Sequence, residues 1–170
     1  YGIFMQARGD LNKAANNFRK ATKLKKDFYQ AHYLLGKVFV KMGKESEATK
    51  EFMLSLKDDK NNSALHLDLG KLYIMENNLS KAEYHFKESF KLSPQDTQLP
   101  NKVGKFFEEK GALDKSIQFY KIAASLQPKN DSIQSMLGSL YYRTGNIDDA
   151  IVAYGNAVQL NPKDSENQYM

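Results

Sequence analysis

The chain has 170 residues, with 25 Lys and Arg against 20 Asp and Glu, for a net charge of +5. It contains no cysteine, which excludes disulfides and thiolate zinc sites, and it has no uninterrupted apolar run of the roughly eighteen residues a membrane-spanning helix needs. The charge is uneven: residues 1–60 carry thirteen basic and seven acidic side chains, whereas residues 131–170 carry two and five.

From the N-terminus, the first segment has Gly2, Met5 and Gly9, then Ala14, Phe18 and Ala21 at spacings of four and three. The second repeats this with Gly36, Phe39 and Gly43, then Ala48, Phe52 and Ser55. In the third stand Gly70, Tyr73 and Asn77, then Ala82, Phe86, Ser89 and Pro94. The fourth has Gly104, Phe107 and Gly111, then Ser116, Tyr120, Ala123 and Pro128. The fifth has Gly138, Tyr141 and Gly145, then Ala150, Tyr154, Ala157 and Pro162. Each segment follows the last by 34 residues, and a fixed period of that length marks an array of stacked supersecondary units.

The spacings have a local physical reading. Small, aromatic and small residues at offsets of four and three share one face of an α-helix. The leading glycine, with an aromatic three residues on, belongs to a preceding helix. A glycine inside a helix costs about 1 kcal/mol relative to alanine, so packing must offset it. The expectation is that glycine opposes the small residue, letting two backbones approach, while the aromatics fill the space beyond. The residues at 9, 43, 77, 111 and 145 suit the left-handed position after a helix end, where Gly and then Asn are favoured. The prolines suit the stop after the second helix.

This pattern resembles the tetratricopeptide repeat (TPR), a 34-residue helix–turn–helix unit. The resemblance implies an all-α, right-handed superhelical solenoid of antiparallel helix pairs. Its register divides the chain into a partial repeat at 1–28, repeats at 29–62, 63–96, 97–130 and 131–164, and the start of a further helix at 165–170. The departures are Lys26 and Lys60 where later repeats have proline, and His32, His66, Pro100 and Gln134 where the family has a bulky aromatic. Pro100 is tolerated only in a first helical turn, so its helix should start late or fray. With atypical capping repeats absent at both ends, the chain reads as a fragment whose end helices stack on other copies.

Motifs for chemistry are sparse. There is no phosphate loop, His-Glu-x-x-His or nucleophile elbow, and no cofactor is expected. His32 and His66, one period apart, would lie side by side without a third metal ligand, while His85 is assigned to another face. Adjacent carboxylates such as Glu108-Glu109 and Asp148-Asp149 diverge on a helix and make poor acid–base pairs. Three sequons, at Asn61, Asn78 and Asn130, are short patterns that arise by chance in an Asn-rich chain.

In TPR arrays the first helix of each pair lines the concave surface. Immediately after the leading glycine stand Lys37, Lys71 and Lys105. Their expected neighbours are Tyr33, Val40 and Lys41, then Leu67, Ile74 and Met75, then Asn101. Stacked lysines repel, which an anion would relieve, so the surface suits a protein or peptide partner with acidic groups and apolar anchors. The clamp by which TPR domains hold chaperone tails does not fit: its positions hold Tyr33, Lys37, Asp68, Gln98 and Lys102, or one repeat later Leu67, Lys71, Lys102, Ser132 and Met136. The asparagine ladder of the sugar-transferase array is replaced by Leu34, Asp68, Lys102 and Met136. Nucleic acid is disfavoured by the scarcity of arginine and the acidic C-terminal third. The sequence thus reads as a protein-interaction scaffold, with a regulatory or docking region of a larger enzyme and a self-associating array as alternatives.

Overall fold

The computed structural model describes residues 10–24 and 28–162. Gly2, Met5, Gly9, Lys26 and the expected helix start at 165–170 lie outside them. The described residues form helices α1 (Leu11–Leu24), α2 (Tyr29–Lys41), α3 (Glu45–Asp58), α4 (Ser63–Met75), α5 (Leu79–Leu92), α6 (Leu99–Glu109), α7 (Leu113–Leu126), α8 (Asp131–Arg143) and α9 (Ile147–Leu160). No strand occurs among them, and none of these helices is long and apolar enough to cross a membrane. The fold is an all-α array of helical repeats.

Three turns inside helix pairs are built alike. Gly43, Gly111 and Gly145 have φ of +66°, +71° and +80°. At the first, the Gly43 N–H donates to the Val40 carbonyl at 3.1 Å and Lys44 N–H to Phe39 at 2.9 Å. The same two bonds recur around Gly111 and Gly145. This is the Schellman closure, which satisfies carbonyls left over at a helix end and requires a left-handed residue. Asn77 takes the fourth such position with φ +57°, as the asparagine substitution implies.

Helix starts and stops also follow side-chain chemistry. Asn62 and Asn130 cap α4 and α8, accepting from Leu65 N–H and Ile133 N–H, and Asp96 accepts from Leu99 N–H at 3.1 Å. The helix carrying Pro100 does begin late: α6 starts at Leu99, two residues past the register of α2, α4 and α8, and has 11 residues instead of 13. Pro100 thereby occupies its first turn, where its missing N–H has no partner to lose. Pro94, Pro128 and Pro162 each stand two residues beyond the end of a helix.

The contacts divide the described residues into two compact units. One comprises the residues up to Glu76 together with Tyr84–Leu92, the other Asn77–Glu83 and the residues from Ser93. In the first, Phe52 and Phe86 are fully buried, and their rings lie directly against Gly36 and Gly70. Hydrogen bonds tie the same helix pairs: Ser55 Oγ donates to the Tyr29 carbonyl at 2.9 Å, and Ser89 Oγ to the Ser63 carbonyl at 2.9 Å.

In the second unit, Ile117, Tyr120 and Ala123 of α7 meet Ile133, Leu137 and Leu140 of α8 in one buried cluster that Ala153 of α9 joins. Gly104 and Gly138 lie against the rings of Tyr120 and Tyr154. The glycine therefore accommodates the aromatic itself, and at Gly104 the expected small residue meets the glycine as well. The small residues still matter: Ser116 is buried and its Oγ donates to the Gly104 carbonyl at 2.9 Å.

Candidate functional site

In the first unit, four polar side chains from consecutive first-of-pair helices converge. Tyr33 and Lys37 project from α2 with one helical turn between them, and Asp68 and Lys71 are likewise one turn apart on α4. Asp68 Oδ2 accepts from the Tyr33 hydroxyl at 3.2 Å. Lys37 Nζ lies 3.6 Å from Oδ2 and Lys71 Nζ 3.6 Å from Oδ1. The Lys37 ammonium also stands over the Tyr33 ring, 5.6 Å from its centroid, within cation–π range.

Asp68 thus lies between two successive lysines of the expected ladder and relieves their repulsion. Sequence reasoning looked outside the chain for that anion. The signal was present, since Asp68 and Lys71 have helix-neighbour spacing, but the cross-helix approach of Lys37 depends on how α2 packs against α4. Burial raises the Tyr33 phenol above its ordinary range, and the Asp68 charge adds to the shift. Tyr33 therefore stays neutral and keeps its proton for Asp68. Both lysine side chains remain accessible, at 43% and 44%. At 3.6 Å the ammoniums are ion-paired with Asp68 but lie beyond ordinary hydrogen-bond distance.

An apolar recess of about 630 Å³ adjoins this cluster, between α1 and α2. Phe18, Ala21, Leu24, Phe28 and Leu34 line it together with Tyr33. Tyr33 is thus shared between the recess and the charged cluster. Val40, at 42% exposure, and Lys41 are open to solvent, as is Met75; Leu67 is half-buried. Ile74 differs from expectation: it is 6% exposed and belongs to the core, so it supports the surface from beneath. Asn101 and Lys105 lie on α6 of the second unit, the first half-buried and the second exposed. In the second unit Arg143 pairs with Glu108 at 2.6 Å.

The histidines are committed elsewhere. His32 Nδ1 lies 2.7 Å from Glu51 Oε2. His66 Nδ1 lies 3.0 Å from His85 Nδ1, with both rings buried and Tyr73 stacked on His85. His85 therefore faces His66, correcting its assignment to another face, and each of His32 and His66 meets a second-helix side chain nineteen residues on. Among the described residues no group of three or more His, Cys, Asp or Glu could hold a metal ion.

Stacked helix pairs with Schellman turns and glycine–aromatic contacts define a helical-repeat protein. Family models agree: one described as TPR repeat matches residues 7–43, and two described as tetratricopeptide repeat match 29–62 and 132–164. Together these cover more than half of the sequence, and the chain belongs to the tetratricopeptide repeat family. No curated protein matches it by sequence.

Solved structures similar to it include MamA, at 20% identity and a TM-score of 0.76, over 97% of this chain and 96% of that one. A MamA from Desulfovibrio magneticus RS-1 is 17% identical with a TM-score of 0.72, over 95% and 91% of the two chains. YrrB, described as a TPR protein with an unusual peptide-binding site, is 20% identical with a TM-score of 0.74, over 95% and 84%. At such identities the likeness is one of fold.

Proposed function

We propose that this chain is a protein-interaction scaffold, itself non-catalytic, that holds an acidic peptide or helix of a partner on the first-of-pair helices of its first unit. The contacts are Tyr33, Lys37, Val40, Lys41, Leu67 and Lys71, with Ile74 as support; Asn101 and Lys105 hold the same repeat positions within the second unit and are proposed as contacts of that unit by itself. One observation carries this reading: two accessible ammoniums converge beside Tyr33, which also borders an apolar recess. A carboxylate over the lysines and an apolar side chain in the recess would use charge and burial together. The peptide-binding site described for YrrB, a protein of the same fold, is consistent with this use. Screening the chain against a peptide array should select sequences that combine Glu or Asp with a large apolar residue. Lys37→Glu, Lys71→Glu and Lys105→Glu together should abolish that selection at unchanged helical content; an unaltered selection rejects the site.

A second reading, self-association, rests on α9. Ile147, Ile151, Tyr154 and Val158 form an exposed stripe. Their counterparts 34 residues earlier, Leu113, Ile117, Tyr120 and Ala124, pack in the α7–α8 cluster. A second copy would cover the stripe, so sedimentation should show a mass that rises with concentration and falls back for Ile151→Lys.

A further inference from the structure

We infer that Asp68 is an internal competitor for the partner's acidic group and sets how acidic that partner must be. The inference rests on the groove reading above and assigns the acidic-peptide site its selectivity-determining residue.

The position of Asp68 recurs every 34 residues, as Leu34, Lys102 and Met136. Among these four an acid stands only here, between the lysines that precede it and follow it on successive helices. Its carboxylate draws on both ammoniums, one through each oxygen, and on the Tyr33 hydroxyl. The three charges sum to +1, where the lysines alone would present +2. Its side chain is only 18% exposed, whereas the lysines reach solvent, so an incoming carboxylate meets the lysines on their outer side with Asp68 beneath. There it gains attraction from two cations and suffers repulsion from one anion a few ångströms further in. At such separations, near a protein surface, each charge contributes appreciably to the balance. A weakly acidic or neutral segment gains little from the pair. A segment with clustered carboxylates overcomes Asp68, either beside it or by taking both ammoniums from it.

The test uses the full chain and a fluorescently labelled hexaglutamate peptide, with anisotropy read at low and at near-physiological salt. Asp68→Asn retains the shape of the side chain and an oxygen for the Tyr33 hydroxyl; Asp68→Ala is the second variant, and circular dichroism checks both. Hexaglutamate should bind the wild type weakly and Asp68→Asn about tenfold more tightly, with the gain shrinking as salt rises. Adding Lys37→Gln and Lys71→Gln to Asp68→Asn should remove the gain. If both Asp68 variants bind no more tightly than wild type while the lysine changes still weaken binding, Asp68 serves only to order the lysines; the inference then falls and the groove reading stands. If the lysine changes leave binding unaltered as well, the groove reading falls with it.

Discussion

The Phe86 ring lies over Gly70 so closely that a Cβ built on that glycine would stand 2.5 Å from Cε1. Real side-chain carbons do not approach so near, and Phe86 is fully buried, so its ring cannot swing into solvent. Gly70→Ala gains about 1 kcal/mol of helix propensity but incurs an overpacking cost of about 1–3 kcal/mol. The expected outcome is a net loss of up to about 2 kcal/mol, read as a lower urea midpoint. Gly104→Ala, where the nearest Tyr120 atoms would lie at 2.9 Å, should lose less. A higher midpoint for Gly70→Ala would contradict the contact.

At the helix-pair turns the relevant constraint is backbone conformation. Nothing lies within 4 Å of a Cβ added to Gly111, but its φ is +71°. Gly111→Ala should therefore destabilise by about 1 kcal/mol through left-handed strain alone. Asn77 already stands at φ +57°, and Asn77→Gly should raise stability by a few tenths of a kcal/mol by relieving that strain. Opposite signs at equivalent positions are the check, in thermal or urea unfolding.

His66 and His85 share a hydrogen bond inside the first unit, where neither ring reaches water freely. Removing one partner leaves a buried ring nitrogen unsatisfied, in addition to a cavity. His85→Ala should cost about 2–4 kcal/mol. His85→Phe, the residue found 34 positions later as Phe119, fills the space but not the bond and should cost about 1–3 kcal/mol. Equal stability of His85→Phe and wild type would show that the bond contributes nothing.

Three tyrosines predict the alkaline response. Burial pushes the Tyr120 phenol up to about 12, with Glu108 and Glu109 adding to it. Burial raises Tyr33 and Tyr73 as well, with Asp68 and Glu76 contributing respectively. Each folded-state value lies above the unfolded one near 10, so the unfolded chain ionises first. The stabilisation is fully present below about pH 10 and for Tyr120 is lost as pH rises toward about 12. Unfolding midpoints should fall across that interval, and Tyr120→Phe should flatten the decline. A flat profile in the wild type would refute it.

The positions of helices and turns were legible because their causes are local. Small–aromatic–small at four and three defines a helix face wherever it occurs, and a left-handed turn selects Gly or Asn through the Cβ clash of other residues. Pro100 shortened its helix for an equally local reason, the absence of an N–H. Five concordant periods then identified the repeat, because each unit must dock on its neighbour in the same manner.

Which side chains meet was decided only by the packing of one helix on another. A rotation or shift of a few ångströms between helices changes the partners without changing the sequence period. That is why the glycines accommodate aromatics sixteen residues on, why His85 meets His66, and why Ile74 is core while Val40 at the same repeat position is exposed. It is also why the lysine ladder appeared uncompensated in the sequence. Period and composition determined that lysines recur along one helix face; the placement of α4 against α2 put the Asp68 carboxylate between two of them, since an ion pair depends on distance in space and the sequence records only order.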